Sequence, residues 1–107
     1  MDRVLQVAVE AARAAGDVAL KYFRRGVEVT LKADRSPVTQ ADREAEQVIV
    51  ELLGREFPTH GFLGEELGAR GSKDVRWIVD PIDGTRNFVR GIPIWAVLIA
   101  LEERGEI

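Results

Sequence analysis

The sequence predicts an α+β layered sandwich, with two N-terminal helices packed on a mostly antiparallel sheet. Three observations carry that expectation. Two long stretches, one from Arg3 to Arg25 and one from Thr39 to the Phe57-Pro58 break, repeat apolar side chains at helical spacing. Short apolar runs around Val29, Phe62 and Val79 end at charged residues, Gly or Pro, as strands do. The apolar run from Ile94 to Leu101 is followed by Glu103-Arg104-Gly105, which reads as a strand entering a hairpin turn, with Glu106 and Ile107 starting the return.

At 107 residues the chain holds one domain at most. Its 46% hydrophobic and 31% charged residues describe a globular chain rather than a disordered one. No apolar run approaches the roughly 20 residues of a membrane span. The opening MDRVLQVAVEAARAAG is amphipathic and reads as a helix rather than a signal peptide. Net charge is −3 with both signs interspersed, which argues against a nucleic-acid partner. The absence of cysteine excludes thiolate chemistry and disulfides and fits a reducing cytoplasm, the expected location.

In the first helix Val4, Ala8, Ala11, Ala15, Val18 and Tyr22, joined by Leu5, Ala12, Ala19 and Phe23, form the apolar stripe, with Asp2 as N-cap. A membrane-surface or partner-binding helix has the same period, but this stripe is rich in Ala and its polar face mixes signs, which favours core packing. Val27, Val29 and Leu31 then alternate with Glu28, Thr30 and Lys32 as in a half-buried strand. Residues Ala33 to Val38 read as a polar loop broken at Ser36-Pro37. Thr39-x-x-Asp42 is a capping box that opens the second helix, whose apolar positions are Ala41, Ala45, Val48, Ile49, Leu52 and Leu53. His60 is the only histidine and is assigned no role. Leu67 to Val75 reads as an exposed, mobile connection. Gly84 to about Arg90 is expected to form a short helix, Gly91 and Pro93 a turn, and Ile94 to Leu101 a strand buried on both faces.

The chemistry concentrates in Trp77 to Trp95. Trp77-Ile78-Val79 is expected to form a strand that Pro81 stops, leaving Asp80 at its end and Asp83 across a tight turn. Two carboxylates about 4 Å apart repel by roughly 4 kcal/mol at an effective dielectric near 20, so a site holding both ionised wants a cation. Mg²⁺ takes oxygen donors of this kind. Asp83 would cap a helix whose free N–H groups, at Gly84 and Thr85, suit a phosphate. The same Asp-Pro-x-Asp-Gly string is also ordinary turn chemistry. A second acidic pair, Glu65-Glu66 after Gly64 and the apolar Phe62-Leu63, favours the metal reading.

Gly64-Glu65-Glu66 followed by Trp77-Ile78-Val79-Asp80-Pro81-Ile82-Asp83-Gly84-Thr85 resembles the signature pair of the inositol monophosphatase family of metal-dependent phosphatases. Lys32 and Ser36-Pro37-Val38-Thr39-Gln40-Ala41-Asp42 resemble the family's earlier motif. The resemblance runs from about residue 4 onwards and implies the N-terminal, metal-binding portion, residues 1–107, of a sugar-phosphatase-like αβαβα fold. It implies two or three Mg²⁺ ions, with Glu65, Asp80 and the carbonyl of Ile82 on the first and Asp80 and Asp83 on a second. It also implies that Thr85 and Glu65 activate water, that Asp42 supports Thr85, that Gly84 and Thr85 bind phosphate, and that Lys32 is accessory.

The implied reaction is hydrolysis of a small phosphate monoester by metal-activated water. Arg86, Trp95 and the Lys32-to-Asp42 string look closer to the histidinol-phosphatase branch, and Asn87-Phe88-Val89 to the inositol monophosphatase branch. An inositol-1-phosphate-like substrate is the expectation, with histidinol phosphate or a nucleotide 3′-phosphate as alternatives. Family members continue for a comparable length, to a Trp-Asp motif that completes the second metal site. The chain is therefore expected to be a fragment, a truncated product or self-associating, as a homodimer, and a non-catalytic metal-binding or partner module is the competing reading.

Overall fold

The computed structural model describes residues 2–25, 29–31, 37–83 and 96–107. The first element, α1 (Arg3–Arg25), starts where Asp2 caps it: the Val4 N–H donates to Asp2 Oδ1 at 2.8 Å, and the Gln6 N–H to the Asp2 carbonyl at 2.9 Å. Val7, Ala11, Ala15 and Ala19, four residues apart, are all fully buried. The buried stripe is thus turned from the expected one, since Val7 lies at its centre and Leu5 is 52% exposed. In α2 (Gln40–Glu56) the residues Ala41, Ala45, Ile49 and Leu53 repeat the four-residue spacing. Small residues on α1 leave room for Ile49 and Leu53, and the two helices pack along these stripes. No described helix is long and apolar enough to cross a membrane.

Between the helices, β1 (Val29–Leu31) pairs antiparallel with β2 (Pro37–Thr39). The expected loop at Pro37 and Val38 is therefore strand. Pro37 takes the first position of β2, where a missing backbone donor does least harm.

After α2 the chain forms β3 (Gly61–Gly64), β4 (Gly68–Arg70), β5 (Val75–Asp83) and β6 (Ala96–Glu103), ordered β4-β3-β5-β6. The β3–β4 and β5–β6 pairs are antiparallel and β3–β5 is parallel, so the sheet is mostly antiparallel as expected. The segment read as a mobile connection contains β4; all three of its residues are exposed, which is why no hydrophobic pattern marked it. Gly68 and Gly71, with φ of 74° and 75°, bracket β4 in the left-handed region that glycine tolerates.

Helices cover one face of the sheet. Phe62, Trp77 and Val79 are buried in the core with α1 and α2, and Val97, Ile99 and Leu101 pack against it. Burying side chains of this size contributes about 1.5–3 kcal/mol each. Alternation sends Arg76, Ile78 and Asp80 of β5, and Leu98, Ala100 and Glu102 of β6, to the other face, where Leu98 is 50% exposed. The expectation that β6 is buried on both faces is corrected: among the described residues only its odd-numbered side is covered. Arg76 Nε donates to Glu102 Oε1 at 3.0 Å across this open face, between residues that the register pairs.

Arg104 and Gly105, with φ of 50° and 85°, form the two-residue turn expected after β6. It is closed by Glu103 N–H to Glu106 O at 2.7 Å and Glu106 N–H to Glu103 O at 3.0 Å.

Candidate functional site

Strands β3 and β5 run parallel and deliver their C-terminal ends to one place. The register pairs Gly64 with Val79, so the next residues are Glu65 and Asp80, and the Glu65 N–H donates to the Val79 carbonyl at 3.3 Å. Two acidic residues 15 apart in sequence thereby come close along the backbone, Glu65 in the turn that follows β3 and Asp80 within β5. Glu65 is exposed and Asp80 is half-buried, with its Oδ1 screened from solvent.

The expected stop at Pro81 is replaced by a continuation. β5 runs on to Asp83, and its ladder with β6 shifts between Asp80↔Leu98 and Asp83↔Ala96. Pro81 and Ile82 occupy on β5 the interval that Val97 alone occupies on β6, which is a bulge. Proline has no N–H to give a ladder, and a bulge is where such a residue is tolerated. Pro81 is fully buried. The bulge turns the strand end where the motif places its carboxylates.

Ile82 is buried with Ala19 and Ala41, and Tyr22 and Phe23 pack around them. The contact brings the first turn of α2 to the end of β5. Asp42, one residue after Ala41, is 2% exposed there. Thus the backbones of Glu65 and Asp80 directly follow the paired Gly64 and Val79, and Asp42 is one residue beyond Ala41, which packs with Ile82. The side chain of Asp83, and Lys32, Gly84 and Thr85 entirely, lie outside the described residues.

The donor set fits a hard divalent cation in kind. Glu65, Asp80 and the Ile82 carbonyl offer oxygen only, the donors that Mg²⁺ takes. Among the described residues no three His, Cys, Asp or Glu side chains are grouped so that they could hold an ion. His60 is not a member. It precedes β3, at the end opposite Glu65, where its Nδ1 accepts the Trp77 Nε1 hydrogen at 3.2 Å and its ring stacks on Phe57 with centroids 5.0 Å apart. It is half-buried structure rather than a surface residue.

Sequence reasoning missed Glu46. This glutamate is fully buried on α2, and its Oε1 and Oε2 accept the N–H groups of Glu66 at 3.0 Å and Leu67 at 2.6 Å. A signal was present: Glu46 follows Asp42 by four residues and precedes Ile49 by three, on the apolar stripe. An acidic residue on a buried stripe needs partners.

The inositol monophosphatase family model matches residues 1–107. Over 103 residues the chain is 48% identical to the histidinol-phosphatase of Chlorobaculum parvum, which covers 94% of this chain and 40% of that protein. It is 47% identical over 108 residues to the inositol-1-monophosphatase of Mesorhizobium japonicum, covering 97% of this chain and 41% of the relative. Among solved structures, the extragenic suppressor protein suhB of Bartonella henselae superposes with a TM-score of 0.91 at 42% identity, over 97% of this chain and 42% of that one. The chain spans about two fifths of the length of the curated relatives it matches. On these matches, and on the αβ architecture shared with that solved structure, the chain belongs to the inositol monophosphatase family.

Proposed function

We propose that the chain is the N-terminal, metal-binding portion of a Mg²⁺-dependent phosphatase acting on small phosphate monoesters. The observation that carries this reading is the parallel β3–β5 register, which sets Glu65 beside Asp80. Glu65, Asp80, the Ile82 carbonyl and the Asp83 carboxylate would hold the ions, two or three in number. A divalent ion bound there supplies Lewis-acid activation of water and neutralises charge on phosphoryl oxygens.

The remaining steps belong to the chain's own residues. Glu65 accepts the proton of the attacking water. Thr85 would orient that water through its hydroxyl, and Asp42, in the first turn of α2, would support Thr85 by accepting its hydrogen bond. The N–H groups of Gly84 and Thr85 hold the phosphoryl oxygens, where most catalysis of this class arises. Lys32 would serve as an accessory cation. The substrate is an inositol-1-phosphate-like monoester, with histidinol phosphate or a nucleotide 3′-phosphate as the alternatives; the relatives named histidinol-phosphatase and inositol-1-monophosphatase support both branches.

The cysteine-free composition supports a cytoplasmic location. The exposed Leu98, next to Ile78 and Ala100 on the uncovered sheet face, supports self-association as a homodimer.

Phosphate release from inositol-1-phosphate, histidinol phosphate, a nucleotide 3′-phosphate and an aryl phosphate, followed as Mg²⁺ is titrated, tests the proposal. Turnover that requires Mg²⁺ and disappears in Asp80→Asn is expected. A second reading, a metal-binding module without turnover, draws on the described residues holding no group of three His, Cys, Asp or Glu side chains that could bind an ion. Mg²⁺ binding with no hydrolysis of any of these esters would establish it instead.

A further inference from the structure

We propose that Glu46 is a positioning residue: from inside the helix layer its carboxylate fixes the turn between β3 and β4 and so holds Glu65 beside Asp80. The inference deepens the metal-site reading and rests on it for its consequence on ion affinity, while its structural half stands alone.

Both residues flanking Glu65 are tied to this one carboxylate. On one side, Glu46 packs so closely on Gly64 that a Cβ there would lie 2.5 Å from Glu46 Cδ and nearer still to Oε2. On the other, the Glu66 N–H donates to Oε1 at 3.0 Å, and the Leu67 N–H donates to Oε2 at 2.6 Å. Glu65 itself is anchored by its N–H to the Val79 carbonyl. Its backbone is therefore fixed on three sides while its side chain remains exposed.

A merely structural role accounts poorly for this arrangement. The turn is at the surface, with Glu65 and Leu67 exposed, and water could satisfy its N–H groups at no burial cost. Placing a carboxylate at 0% exposure to do so is expensive in desolvation and is repaid only by well-formed hydrogen bonds. Orientation of a ligating group by partners behind it is what such an arrangement achieves. Glutamate is also required by its chemistry: it presents two acceptor oxygens, whereas glutamine would turn an NH₂ donor against one of the two N–H groups.

The test uses the 107-residue chain, Glu46→Gln, Gly64→Ala and the double variant, with two readouts. Amide hydrogen exchange, read by NMR, reports the turn, and calorimetric titration with Mg²⁺ alone reports the site. Glu46→Gln is expected to keep its helical circular dichroism, lose protection at Glu66 and Leu67, and bind Mg²⁺ about 10- to 100-fold more weakly. Gly64→Ala retains the carboxylate but displaces it, and is expected to move both readouts the same way. The double variant should lose no more than the larger single loss, because both act through one contact. Folded variants with unchanged protection at Glu66 and Leu67, or with unchanged Mg²⁺ affinity beside a wild type that binds, overturn the proposal. Collapse of both single variants with loss of α2 also overturns it, in favour of a purely structural role. A wild type that binds no Mg²⁺ defeats the metal-site reading instead, and amide protection alone then decides the role of Glu46.

Discussion

Single residues show how differently the same chemistry is used at the two ends of β3 and β5. At one end, Trp77 is 2% exposed and its indole N–H has His60 Nδ1 as acceptor, with Phe57 stacked on the imidazole. His60→Ala removes that acceptor from a buried donor. The expected cost is about 1–3 kcal/mol, read as a lower denaturant midpoint with a changed Trp fluorescence, and an unchanged midpoint would contradict it. At the other end, Glu65 and Asp80 were singled out from sequence because acidic residues after short apolar runs have a recognisable pattern, although β5 runs on past Asp80 to Asp83. Their proximity was not legible, because it follows from the parallel pairing of strands separated by β4. Glu46 illustrates the opposite limit, since its partners at Glu66 and Leu67 lie 20 and 21 residues away.

Helix–helix packing and turn geometry set the predictions for the elements. Ala11 is fully buried in the core cluster that also holds Ala45, Ile49 and Leu53 of α2. Ala11→Leu is expected to overpack it and cost about 1–3 kcal/mol. Ile49→Ala, on the facing stripe, should cost about 2–5 kcal/mol by leaving a cavity. Chemical denaturation of both variants checks the pair; equal stability to wild type would show that the interface is looser than described. In the terminal turn Arg104 carries φ of 50°, which a side chain with a Cβ adopts at a cost. Arg104→Gly should therefore raise the melting temperature, by an amount corresponding to about 0.5–1 kcal/mol after the greater freedom of an unfolded glycine is offset. A fall in melting temperature would show that the Arg104 side chain contributes more than its backbone costs. Both helices were readable from their periods, including the α1 limits, because an apolar repeat of about 3.6 survives in any sequence that must bury one side. The strand β4 was not readable, since an exposed edge strand has no face to bury.

At the scale of the molecule, the two layers leave one sheet face uncovered among the described residues. Leu98 is half exposed there, whereas Arg76 and Glu102 on the same face are half-buried and pair with each other. Self-association through this face predicts a species heavier than a monomer in sedimentation at micromolar concentration. Leu98→Lys should shift that equilibrium towards monomer without lowering the unfolding midpoint. A wild type that sediments as a monomer at every concentration would exclude the homodimer. The exposed ion pair between Arg3 and Glu56 offers a contrast, since solvent screening leaves such pairs worth little to the fold.

What the sequence by itself determined is local: the helix periods, the Asp2 cap, the apolar strand runs, the two-residue turn at Arg104-Gly105, and the choice of Glu65 and Asp80 as candidates. These depend on neighbours within a few residues, whose physics is written in their order. What only the tertiary structure decided is which segments meet. The parallel β3–β5 register, the bulge that carries β5 through Pro81, the face of β6 left uncovered among the described residues and the reach of Glu46 into the turn beside Glu65 all follow from pairing and burial between distant stretches. No local pattern encodes those contacts, because their free energy exists only once both partners are in place.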